Sequence, residues 1–133
     1  KIKRRLFDNP APYVYPNGTV LLMFSWRPKR LCVAVGRDGW KGRFKIVGGP
    51  LWPERVAYGQ DAFLYANQRG IHCLFHGFPW ANTSLAGRHA FSRNGIDWTL
   101  SETPAYSSTV RFANGSSVTY VRRERPHLVF DAR

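Results

Sequence analysis

Three short motifs carry carboxylates that could act together: Asp8-Asn9-Pro10-Ala11-Pro12, Gln60-Asp61-Ala62-Phe63 and Arg122-Arg123-Glu124-Arg125-Pro126-His127-Leu128. Each places an acid at the start of a β-rich unit, and the units recur at roughly fifty to sixty residues, within the range of propeller blades. Carboxylates that converge in one pocket can protonate a leaving oxygen and serve as base or nucleophile, as cleavage of a glycosidic bond requires. A third acid can tune the proton donor. On a strand, adjacent side chains face opposite sides. Asp8 and Asn9 therefore compete for the inward position in the first motif.

Other side chains near these motifs suit sugar recognition. His76, in Leu74-Phe75-His76-Gly77, and His89, in Gly87-Arg88-His89-Ala90, can contact hydroxyls or cap a strand by a backbone hydrogen bond. His127 follows Pro126 and reads as structural. Trp26, Trp52, Trp80 and Trp98 are candidate stacking platforms, Trp80 foremost because Phe78-Pro79-Trp80-Ala81-Asn82 reads as a loop. Core packing is the expectation for Trp40 and Trp98. Strand alternation aims Arg122 to the same side as Glu124. There it could hold a substrate carboxylate, or keep Glu124 ionised. No close metal-ligand spacing occurs, so neither a metal nor a cofactor is expected.

The elements that must position these residues are strands. Tyr13-Val14-Tyr15, the turn Pro16-Asn17-Gly18 and Thr19 to Trp26 form a hairpin signature, since Asn-Gly between β-rich runs favours a tight turn. The pattern returns around Asn67 to Gly70 and around Ala113-Asn114-Gly115. Leu31 to Val35 leads into Asp38-Gly39-Trp40, and His89-Ala90-Phe91 leads into Asn94-Gly95-Ile96-Asp97-Trp98. Each reads as a strand, a turn and an outer strand bearing an aromatic. No stretch has a sustained helical period. The expected fold is all-β: a β-propeller of repeated four-stranded antiparallel blades, with units at roughly 8–58, 59–105 and 106–133.

These residues resemble the five-bladed β-propeller glycoside hydrolases of families 43 and 32. Glu124-Arg125-Pro126 is similar to the Glu-x-Pro motif of that group, and Asp61 to its second acid, with Ala62 in place of Pro. The resemblance implies a partial propeller of about two to three blades. It implies Glu124 as general acid, Asp61 as modulator and Asp8 as possible base, with Asn9, His76, His89, Trp80 and Arg122 binding substrate. The first motif departs from the pattern, because Asn9 rather than Asp8 precedes Pro10. A non-catalytic sugar-binding propeller is therefore the alternative.

Bulk properties bound the partners. The 133 residues are long enough for a hydrophobic core, with 44% hydrophobic and 15% aromatic content. The formal charge is +12, from 20 Lys and Arg against 8 Asp and Glu. Apart from Lys1, Lys3, Arg4 and Arg5 the excess is scattered singly, which reads as a solvated surface. An oligo- or polysaccharide is the expected partner, acidic polysaccharide included, and nucleic acid is not expected. No apolar run is long enough to span a membrane. Cys32 and Cys73 sit in apolar runs and read as small buried side chains, a disulfide being the alternative. Sequons at Asn17, Asn82 and Asn114 are compatible with a secreted or extracellular location, although Asn17 and Asn114 also belong to turns.

Overall fold

The computed structural model describes residues 7–26, 29–53, 58–77 and 86–131. The first antiparallel sheet runs β1 (Phe7–Val14), β2 (Val20–Trp26), β3 (Arg30–Gly36), β4 (Phe44–Gly48), and its strands pair in that order. The second repeats the arrangement with β5 (Gly59–Asn67), β6 (Gly70–Gly77), β7 (Gly87–Ser92) and β8 (Thr99–Leu100). β9 (Thr109–Arg111) and β10 (Ser117–Thr119) form a separate two-stranded sheet. The described residues contain no α-helix, only a short 3-10 turn at Gly39–Lys41.

The hairpins form where turn chemistry dictates. At the β1–β2 turn Asn17 Oδ1 accepts the Thr19 N–H at 3.0 Å, and Gly18 adopts φ +83°, a region that glycine enters without steric cost. Asn67 accepts the Arg69 N–H at 2.9 Å in the β5–β6 turn, and Asn114 the Ser116 N–H at 3.0 Å in the β9–β10 turn. Between β7 and β8 the Asn94 side chain accepts from the N–H groups of Ile96 and Asp97 at 2.8 and 2.9 Å. That turn also lets the Trp98 indole donate to Gly95 O at 3.0 Å.

The two four-stranded sheets pack face to face. Leu21 and Met23 of β2 and Leu31 and Val33 of β3 meet Leu64, Ile71, Cys73 and Phe75 in one core cluster. Phe75 is fully buried, stacks on Trp52 with ring centroids 5.7 Å apart, and helps hold Trp52 so that its indole donates to Trp98 O. Trp52 and Trp98 therefore serve packing between the sheets. Trp26 rests against Phe7 at 6.1 Å.

Two expectations need correction. Trp40 is 76% exposed on the 3-10 turn, with Lys41 Nζ 5.1 Å from its ring, rather than packed in the core. An outer strand does follow that turn, but it starts at Phe44, beyond Trp40. The Asn114-Gly115 hairpin does not rebuild the first two: its strands are three residues each and join no four-stranded sheet. Cys32 and Cys73 are small buried side chains, as their apolar runs suggested, and both are free thiols, with Cys73 Sγ 3.3 Å from Met23 Sδ.

Candidate functional site

β1 and β5 belong to different sheets but approach each other, and both carry a bulge at the candidate motif. The register slips between Asp8 and Ala11 in β1 and between Gln60 and Phe63 in β5. Within each bulge one residue is left-handed: Asn9 at φ +51° and Asp61 at φ +56°. Arg125, in the third motif, has the same conformation at φ +55°. Non-glycine residues rarely adopt this region, and a bulge re-aims the side chain it carries. Asn9, Asp61 and Arg125 are thus equivalent in the backbone, each just before Pro10, Ala62 or Pro126. The three acids are not: Asp8 and Glu124 each stand one residue before the left-handed position that Asp61 occupies.

The three left-handed residues line one cleft of about 410 Å³, together with Pro10, Pro12, Phe63 and His127. Asp61 is its buried acid, 9% exposed. Burial pushes the Asp61 carboxyl above the usual range. The Arg125 guanidinium works against that shift and the Glu124 carboxylate with it, followed by smaller effects of His76 and Asp8. Asp8 and Glu124 are therefore each within electrostatic reach of Asp61, though the three come from distant parts of the chain. Asp8 itself is exposed and lines a different, mostly apolar groove with Phe7, Leu22, Phe24 and Phe44. Glu124 is exposed and lines a neighbouring cleft of about 440 Å³ with Tyr65, Tyr106 and Arg123. Arg125 and His127 line both clefts and stand between them.

The third motif is anchored by its backbone. Arg123 O lies 3.2 Å from His76 Nδ1 and accepts the Tyr106 hydroxyl at 3.3 Å. A carbonyl only accepts, so His76 carries its proton on Nδ1. The Arg123 side chain donates to Ser107 O at 2.7 Å and lies over the Tyr106 ring at 4.9 Å. Tyr106 is in turn bridged to Gly87 at the start of β7, where the ring leaves no room for a side chain. Burial raises the Tyr106 hydroxyl's pKa, with Arg123 opposing.

The other candidates sit elsewhere. His76 is 2% exposed and lies behind the cleft rather than on its lining. His89 contacts His72, with Nε2 2.9 Å from His72 Nδ1, in an aromatic group with Tyr65 and Phe91. Burial lowers the pKa of both imidazoles, which keeps that pair neutral. Arg122 is exposed, and Trp80 and the Asn82 sequon lie outside the described residues. Among the described residues no cluster of three His, Cys, Asp or Glu could hold a metal ion. Sequence reasoning missed Arg125 and His127 as cleft residues; the signal was that Arg125 precedes Pro126 as Asn9 precedes Pro10. Comparison with profiles of known families, with characterised proteins and with solved structures gives no match.

Proposed function

We propose that the β1–β5 cleft binds a glycan, and that the chain forms part of a five-bladed propeller of glycosidase type. The two four-stranded sheets are neighbouring blades in this reading, and the segment from Arg123 onward opens the next. The observation that carries it is the gathering of Asp8, Asp61 and Glu124 into one electrostatic neighbourhood beside a cleft. In the hydrolytic form, Glu124 is the general acid, reached by solvent and substrate alike. Asp61, buried and disposed to hold its proton, sets its charge environment, and Asp8 is the base.

A second reading is favoured by a specific feature: Asn9 occupies the cleft while Asp8 lines the apolar groove. An amide cannot act as base or nucleophile, so this arrangement supports sugar binding without cleavage. The two readings separate in one experiment. A panel of oligosaccharides is screened for binding on an array and for release of reducing ends. Hydrolysis in the native protein that is lost in Glu124→Gln, with binding retained, supports catalysis. Binding without turnover supports the second reading, and absence of both refutes the glycan site.

A further inference from the structure

The cleft has one cation whose side chain the fold does not use. Arg123 is committed to Ser107 O and the Tyr106 ring. Arg125 is exposed on the cleft, and among the described residues its guanidinium makes neither a hydrogen bond nor an ion pair. It feels Asp61 only at longer range, as the first of the charges acting on that carboxyl. The fork of donors on a guanidinium matches a carboxylate or a sulfate. Its left-handed backbone is conformationally costly for arginine and recurs at Asn9 and Asp61, so three separate motifs bend alike to aim at the same space.

The remaining groups suit hydroxyls. Asn9 both donates and accepts, and Asp61 accepts when ionised or donates when it holds its proton. His127 Nδ1 lies 3.1 Å from Arg125 O and must donate to it, since a carbonyl only accepts. Among the described residues the cleft therefore offers polar partners for a sugar ring and one fixed positive charge, Arg125.

We infer that this cleft selects glycans bearing an anionic group, a uronate carboxylate or a sulfate ester, seated on Arg125. The inference rests on the glycan reading above and adds the substrate class. The +12 formal charge draws polyanions to the whole surface, but without regard to where the charge sits on the sugar. Selection by Arg125 is local and survives moderate salt better than that general attraction.

The test is an array of matched backbones: uronate oligosaccharides with their carboxyl-reduced forms, and sulfated ones with their desulfated forms. Native protein, Arg125→Gln and Lys41→Gln are compared at low and physiological salt; Lys41 is a remote surface cation beside Trp40. Native protein is expected to prefer the anionic member of a pair by about tenfold or more. Arg125→Gln is expected to remove that preference, while Lys41→Gln retains it. Preference confined to uronates or to sulfates names the group. Equal binding of both members, or equal loss in the two variants, overturns the inference and leaves the glycan site standing. No binding of any sugar overturns both.

Discussion

Gly87→Ala tests whether the third motif is held in place through Tyr106. Gly87 lies at the start of β7; its N–H donates to Tyr106 O at 2.9 Å, and its carbonyl accepts the Ala105 N–H at 2.9 Å. The three atoms nearest to a Cβ built on Gly87 all belong to the Tyr106 ring, which would have to move. Overpacking of this kind costs about 1–3 kcal/mol. A displaced ring also gives up its hydroxyl bond to Arg123 O, about 0.5–1.5 kcal/mol, and its contact with the Arg123 guanidinium, about 0.5–1 kcal/mol. The sum is about 2–5.5 kcal/mol, a fall in Tm of roughly 6–28 °C for a domain of this size. The assay is a double-mutant cycle by urea denaturation with Tyr106→Ala. In that background Gly87→Ala is expected to cost less than about 0.5 kcal/mol, giving a coupling of at least about 1.5 kcal/mol. Equal cost in the two backgrounds would refute the reasoning.

Two further outcomes follow from burial. The native Asp61 carboxyl titrates above its unfolded value because burial disfavours its charge. From about pH 4 upward the native state then holds a proton that the unfolded state has released, so this residue makes stability fall as pH rises through that window. Asp61→Asn is expected to flatten the slope and to raise stability at neutral pH relative to native protein, read from urea midpoints across pH 4–7; an unchanged slope would sink the assignment. Cys32 and Cys73 are both 0% exposed, and burial drives the Cys73 thiol strongly upward. An aromatic disulfide reagent should therefore modify neither in native protein and both in denaturant; rapid native labelling would contradict the core packing.

The sequence by itself determined the strands and most of the turns. β-branched and aromatic runs broken by Asn-Gly and Asn-x-x-Gly leave few alternatives, because an Asn side chain accepting a local N–H and a glycine at positive φ close a turn with no distant partner. What only the tertiary structure decided was where those strands pointed their side chains. Strict alternation leaves Asp8 and Asn9 competing for the inward position, and the bulges in β1 and β5 add a residue and reverse the facing beyond it. The left-handed Asn9 and Asp61 reach the cleft as a result, Arg125 joins them from a segment outside the strands, and Asp8 lines the groove beside Phe7. His89 was equally illegible as a partner of His72, since the contact depends on β6 and β7 pairing Leu74 with His89 and His72 with Phe91. Turns are closed by neighbours along the chain, whereas facing and convergence depend on strands that meet only once the sheets have packed.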